Sequence, residues 1–320
     1  MINSIKAVVT DSVDPFYNIS LEARLLDVCD DKTVYLYLWR NDRTVVIGKN
    51  QNAFKECRVD LLESEGGHLV RRLTGGGAVY HDKNNLNFSF VAHKDNYDLA
   101  RQMAVVLHAV RRCGIKAEQN GRNDITVDGK KFSGNSFLTK GDIKLHNGTI
   151  LIDTSSSEME KYLTVSAEKM KSKGVNSVRS RVVNLKQLDK SLTTGKMAML
   201  LLRSFGDIFD LPVQLIREDE LDCEKIFEIE REVFQNDEFR FGKNPSFENS
   251  LKKRFDWGEI EICFSSEKGV ITNVEVFSDA LDAEAVEQTK AFLLGKPLAH
   301  LKQLVEGNDN KILSDAVSLF

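Results

Sequence analysis

The period of apolar and polar positions changes several times along the chain, and each change predicts an element. Residues 33–39 (TVYLYLW) and 44–48 (TVVIG) are rich in β-branched and aromatic residues and are separated by RNDR, which predicts two strands joined as a hairpin. In 86–92 (LNFSFVA) the alternation puts Leu86, Phe88, Phe90 and Ala92 on one face, the mark of a half-buried strand. From Asp98 to Cys113 the spacing turns helical through Leu99, Met103, Val106, Leu107 and Val110, and Gly114 can end that helix in the left-handed conformation. Asp128-Gly129 then stands between two extended runs. A type I′ turn needs positive φ at both positions, so this pair predicts a hairpin.

A further turn at Lys140 to Asp142 separates NSFL from IKLHNGTILI, which makes the middle of the chain a β-meander. Helical periodicity follows at 192–206 and 218–234, so the sheet is expected to give way to helices there. The stretch 236–247 (NDEFRFGKNPSF), with Gly242 and Pro245, reads as a domain boundary. Beyond it EIEICF and ITNVEVF flank SSEKG as a second hairpin, and a helix runs from about Ala283 to Leu294, ended by Gly295 and Pro297. The expectation is an α+β protein with a large domain at 1–243 and a smaller α+β module at 244–320.

Composition narrows the function rather than the fold. The 320 residues are 42% hydrophobic and 29% charged, ordinary for a globular protein. With 44 basic and 48 acidic residues the net charge is -4, so a general polyanion binder is excluded and any anion site must be local. The longest apolar run, Met197 to Leu202, falls far short of the roughly 20 residues of a membrane span, and the first twenty residues do not resemble a signal peptide. Cys29, Cys57, Cys113, Cys223 and Cys263 lie too far apart to suggest a zinc site or a disulfide framework. A soluble cytoplasmic protein with no nucleic-acid or membrane partner is expected.

Three clusters carry candidate chemistry. In 69–82 (LVRRLTGGGAVYHD) a glycine triplet commonly marks a loop of unusual φ and ψ. Between strands, however, it bares backbone N–H groups on which an extended or anionic ligand can lie. Arg71 and Arg72 alternate across the strand, so only one can face that ligand. In 121–137 (GRNDITVDGKKFSGNSF) Lys130 and Lys131 alternate likewise, one solvated and the other free to project inward. Asp124, at the mouth of this hairpin, would cap backbone donors or hold magnesium. The third cluster, 169–181 (KMKSKGVNSVRSR), has five basic residues and no acidic one, which suits a solvated loop or a lid over phosphate. No P-loop, H-E-x-x-H or Ser-His-Asp order is present, and the six scattered histidines read as packed or surface residues.

Taken in order, GKNQNAFKEC (48–57), LVRRLTGGGAVYHDKNNLNFSF (69–90), GRNDI with KKFSGNSF (121–137), HNGTIL (146–151) and KGVNSVRSRVVNL (173–185) closely resemble the lipoate-protein ligase A family. The resemblance implies a large mixed or antiparallel-sheet catalytic domain of the biotin/lipoate ligase type with a small accessory domain. It also implies two reactions: lipoate and ATP give lipoyl-AMP, and the lipoyl group then passes to a lysine of a carrier domain. The expected carriers are the lipoyl domains of 2-oxoacid dehydrogenase acyltransferases and the glycine cleavage H protein. The expected cofactors are ATP and Mg²⁺.

Carried over position by position, the family pattern makes Thr74, Gly75, Gly76 and Gly77 one wall for the lipoyl chain, with Arg72 over it and Asn85 and His146 nearby. Gly77, Ala78, Val79 and Tyr80 are implied to hold the nucleotide, and Asp124 the metal. Ser177, Val178 and Arg181 are implied to fold over the nucleotide from the basic loop. Lys131 is implied to contact the lipoyl carbonyl and the α-phosphate, where negative charge grows in both attacks. Its ammonium should therefore face the triglycine segment. One departure is Asn147, where family members commonly have a second histidine; an amide donates and accepts but cannot titrate. Competing readings are an octanoyltransferase working through a cysteine thioester, a lipoyltransferase that uses only preformed lipoyl-AMP, and a non-catalytic lipoate-binding protein.

Overall fold

The computed structural model of the chain describes residues 2–121, 123–164, 182–242 and 246–320. Strand β1 (Ser4–Val9) runs parallel to β2 (Thr33–Trp39), and the helix Pro15–Val28 is the crossover between them. Asp14 caps this helix by accepting from Phe16 N and Tyr17 N, and Pro15 sits in the first turn, where a missing N–H costs little. Hydropathy alone misses the helix because Asn18, Ser20 and Glu22 interrupt its apolar face. All three are nonetheless buried.

Strand β3 (Thr44–Ile47) does not form the expected hairpin with β2. It lies in a separate three-stranded sheet of order β4-β3-β5, with β4 at His68–Arg71 and β5 at Val79–His81. All seven residues of β2 are buried, so both its edges must be paired, and β1 and β6 (Asn85–His93) supply the partners. Arg43, at φ 39, turns the chain out of the first sheet into the second.

The first sheet has eight strands in the order β11-β1-β2-β6-β10-β9-β8-β7. Its remaining members are β7 (Glu118–Asn120), β8 (Asp124–Val127), β9 (Lys130–Lys140), β10 (Ile143–Leu151) and β11 (Val213–Leu215). The meander β8-β9-β10 is antiparallel as expected, turning at Asp128 (φ 49) and Gly129 (φ 73) and again at Gly141 (φ 59). Strand β6, in contrast, is buried on both faces. Leu86, Phe88 and Phe90 meet the helices Leu99–Arg111 and Thr194–Phe209, while Asn85, Asn87 and Ser89 are enclosed on the other side. Alternation there separates a greasy core from a polar interior, not a core from water.

Each large apolar side chain in that core, such as Phe88, Phe90 or Phe205, contributes roughly 1.5–3 kcal/mol by leaving water. The helical region after residue 192 is also interrupted. β11 joins the sheet edge beside β1, and 218–234 splits into a 3₁₀ turn (Glu218–Leu221), an α-helix (Cys223–Ile229) and a π-helical turn (Glu230–Phe234). No helix among the described residues is long and apolar enough to cross a membrane.

The last part of the chain is a three-stranded sheet, β12 (Asn249–Phe255), β13 (Gly258–Glu267) and β14 (Val270–Ser278), covered by the helices Ala283–Leu293 and Lys311–Val317. The expected SSEKG hairpin is there, turning at Lys268 (φ 50) and Gly269 (φ 78), whereas β12 has no apolar alternation strong enough to announce it. The sequence-based boundary at 243/244 lies outside the described residues. The loop after β14 seats this module on the large domain. Gly76 N donates to Ala280 O (2.8 Å), Ser278 N to Asn50 O (2.8 Å), and Asn50 Nδ2 to Ala283 O (2.8 Å).

At Gly75 an added Cβ would stand 2.4 Å from Ala280 O and 2.5 Å from Leu281 O, both backbone atoms that cannot rotate away. Gly75→Ala should therefore loosen the module, at a cost of about 1–3 kcal/mol for the overpacked contact. Limited proteolysis across 236–247 should then be faster than in the parent protein. An unchanged cleavage rate and melting temperature would contradict this account of the seam.

Candidate active site

A cavity of about 190 Å³ opens between the triglycine segment and the polar face of the main sheet. Glycine is required where the backbones close on one another. A Cβ on Gly48 would stand 2.1 Å from Gly76 O, and Gly76 itself has φ 92, in the left-handed region. The open end is formed by Lys131, Asn123, Gly134 and Thr149, all partly exposed. The inner end is formed by buried groups including Glu22, Trp39, Val46, His81 and Asn87, and Leu281 reaches the cavity from the carboxyl-terminal module.

The two arginines divide as their alternation requires. Arg71 turns away from the cavity and donates to the carbonyls of Gly48, Lys49, Gln51, Phe239 and Arg240, tying the loop 48–51 to the helix Asp237–Phe241. Arg72 faces the cavity and grips the triglycine turn. Nη2 donates to Gly75 O (2.6 Å) and Gly77 O (2.9 Å), Nη1 to Val46 O (3.3 Å), and Nε to Thr74 Oγ1 (2.9 Å). Burial pulls its pKa down to about 10, which leaves it charged at neutral pH.

From Arg72 a one-way line of hydrogen bonds runs under the cavity floor. Thr74 Oγ1, having accepted from Arg72, donates to Ser136 Oγ (2.8 Å), which donates to Asn147 Oδ1, and Asn147 Nδ2 donates to Glu22 Oε1 (3.1 Å). Trp39 Nε1 donates to Ser89 Oγ (3.1 Å), and Ser89 donates to the same carboxylate. Asn147 needs a donor and an acceptor at once, which an amide supplies without titrating. Glu22 is fully buried, and desolvation outweighs these hydrogen bonds and Arg72, so its pKa is raised.

Lys131 does not point into bulk solvent away from the glycines. It lines the same cavity as Gly76 and Gly77, and its Nζ is 2.7 Å from Asp124 Oδ1, with side chains 38% and 36% exposed. Val183 N donates to Lys131 O (2.9 Å), so the stretch that follows the basic loop runs alongside this lysine. Asp124 is one ion pair away from the cavity wall. Ser177, Val178 and Arg181 lie outside the described residues.

Of the other expected site residues, Arg72, Gly76, Gly77, Ala78 and Val79 line the cavity, and Thr74, Gly75, Tyr80, Asn85 and His146 do not. Thr74 braces Arg72, and Gly75 meets the carboxyl-terminal module. Tyr80 packs in the second sheet's core against Tyr162, with ring centroids 5.7 Å apart. Asn85 Nδ2 donates to Asn87 Oδ1 (2.8 Å). His146 stacks on Phe90, its Nε2 lies 2.8 Å from Asn135 Oδ1, and burial lowers its pKa to about 3. The sequence reading missed Glu22, Trp39, His81, Asn87 and Leu281. For Glu22 a signal existed: a carboxylate on the apolar face of a capped helix, between Ile19 and Leu26.

The chain is similar to known proteins over most of its length. Residues 14–206 match the family model described as the lipoyl protein ligase A/B catalytic domain, and residues 244–316 match the bacterial lipoate protein ligase C-terminus. Lipoate-protein ligase A of Psychrobacter cryohalolentis is 33% identical over 296 residues, covering 90% of this chain and 86% of that protein. Lipoate-protein ligase LplJ of Bacillus subtilis is 37% identical over 291 residues, covering 88% and 87%. The crystal structure of P. falciparum LipL1 in complex with lipoate superposes with a TM-score of 0.85 at 27% identity over 98% of both chains. A bi-partite lipoate protein ligase from Thermoplasma acidophilum, described with its E2 lipoyl domain, superposes with a TM-score of 0.67 at 25% identity, over 78% of this chain and 100% of that one.

The buried carboxylate makes a prediction with a definite sign. Because the folded pKa of Glu22 is raised, the unfolded carboxyl ionises first as pH climbs, and stability falls from about pH 4 upward on account of this residue. Glu22→Gln keeps the acceptor for Ser89 and Asn147 and removes the charge. It should be more stable than the parent at pH 7, with the difference vanishing below about pH 4. Denaturant melts across that range check it, and a variant less stable at pH 7 would contradict the assignment.

Proposed function

The chain belongs to the lipoyl protein ligase A/B family and is a lipoate-protein ligase, and we propose that it carries out both half-reactions at this one cavity. The observation that carries this reading is that Lys131 lines the same cavity as the bare backbone of Gly76 and Gly77. A carboxylate cannot acylate an amine at neutral pH, because oxide is too poor a leaving group. The lipoate carboxylate oxygen therefore attacks the α-phosphorus of ATP and pyrophosphate leaves. The carrier lysine amine then attacks the carbonyl of the mixed anhydride and AMP leaves.

Negative charge grows on the phosphoryl oxygens in the first step and on the carbonyl oxygen in the second. An ammonium fixed at the junction of acyl and phosphate serves both, and it is worth more at a partly dry wall than in water. Arg72 contributes by holding the turn rather than by moving: its bonds to Gly75 O and Gly77 O keep the chain's bed flat. Gly77, Ala78 and Val79 line the partly exposed edge of that bed, which supports their meeting the nucleotide in this reading.

Asp124 fits a magnesium ion, which supplies charge neutralisation on the phosphates when bound. It is a half-exposed carboxylate at the phosphate end, and Mg²⁺ commonly takes one or two carboxylates plus phosphate oxygens. Among the described residues no cluster of three His, Cys, Asp or Glu side chains offers a site made by protein alone. The carriers in this reading are the lipoyl domains of 2-oxoacid dehydrogenase acyltransferases and the glycine cleavage H protein, whose lysine would enter at the open end. A thioester route finds no support: none of the five cysteines lines the cavity, and burial pushes the Cys57 thiol up to about 12.

Lipoate-dependent exchange of pyrophosphate into ATP tests the first half-reaction and separates this enzyme from one that uses only preformed lipoyl-AMP. Lys131→Ala should lose at least about 10²-fold in that exchange, by analogy with removing an oxyanion donor. Near-normal exchange by the variant would refute the assignment of Lys131.

A further inference from the structure

The inner end of the cavity holds a histidine whose tautomer the structure fixes. Asn18 Nδ2 donates to Ser12 O (3.1 Å) and Arg40 O (2.8 Å), while Asn18 Oδ1 accepts from Tyr37 Oη (3.1 Å). Backbone carbonyls only accept, so this amide has one orientation. Its nitrogen therefore also faces Asn41 Oδ1 (3.1 Å), which turns Asn41 Nδ2 toward His81 Nδ1 (3.3 Å). His81 Nδ1 accepts, and the ring proton is on Nε2. Burial, followed by the charge of Arg72, brings the pKa down to about 3, so the ring is neutral.

His81 is 3% exposed and lines the cavity, and its Nε2 meets no acceptor among the described residues. Asn87, 1% exposed, lines the same end. Its Oδ1 accepts from Asn85 Nδ2, while its own Nδ2 and Asn85 Oδ1 meet no partner among the described residues. Buried donors are rarely left unpaired, and two at one end of a cavity point to an acceptor carried by the ligand.

The ligase reading fixes which part of the ligand that is. The reacting carboxyl must lie at Lys131, at the open end, where an amine from another protein can arrive. The far end of the acyl chain therefore stops among His81, Asn87 and Trp39. A methyl terminus would strip water from these donors and give nothing back, whereas a ring or chain end bearing sulfur offers weak acceptors. We infer that His81 Nε2–H and the Asn87 amide form a selectivity contact that favours an acyl chain ending in sulfur over an alkyl chain of similar length. This rests on the proposed ligase activity and assigns the residues that set its acyl preference.

The test compares kcat/KM for adenylate formation from lipoate and from octanoate in the parent, His81→Phe and Asn87→Leu. Each variant should lower the lipoate-to-octanoate ratio by about ten-fold, mainly through better use of octanoate, because an apolar wall no longer leaves a donor unpaired. Adenylation of octanoate also reports that a variant is folded. A ratio unchanged within about two-fold, or equal loss of both acids, overturns the inference, since a purely structural role predicts either result. Failure of the parent to adenylate either acid would instead sink the ligase reading itself.

Discussion

The cavity depends on one guanidinium. Three glycines in succession have no preferred conformation, and their freedom would be costly to restrain by packing, since they have no side chains to pack. Arg72 restrains them through their carbonyls instead, holding Gly75 O and Gly77 O from one nitrogen and bracing itself on Thr74. The planar fork suits several acceptors at fixed angles, which a lysine ammonium would not match. Everything placed on that bed, including Leu281 from the second module, inherits its geometry from this clamp.

Electrostatics follow from the same placement. The hydrogen-bond line from Arg72 through Thr74, Ser136 and Asn147 ends on Glu22, so the buried cation and the buried acid are joined through neutral side chains rather than in direct contact. Each hydroxyl in that line donates one way and accepts the other, so the floor has a direction as well as a shape. The exposed pair Lys131 and Asp124 at the opposite end remains adjustable because water shares its charge.

Much of this was legible in the residues. The Asp-Gly turn, the capped helix after Asp98 and the alternation of Arg71 with Arg72 follow from local geometry, and the structure reproduces all three. What could not be read was which neighbour a strand would choose. RNDR looks like a hairpin turn because both flanks are apolar, but β2 is buried on both faces and takes its partners from residues far away in sequence. The cavity floor was hidden for a related reason. Asn87 and Ser89 look like solvent-facing positions in an alternating pattern, and only the layer packed over them shows that they face an interior that is polar.

The seam at Gly75 and Gly76 has a consequence for how such a chain can vary. Ala280 and Leu281 press carbonyls onto a bed that tolerates no Cβ, and the Gly76 amide is spent on one of them. A carboxyl-terminal module borrowed from another ligase would have to present the same two peptide oxygens at the same spacing, whatever its side chains. Around Gly75 and Gly76 the two parts are thus matched through main chain, and a graft between homologues depends there on the shape of the four-residue loop 279–282.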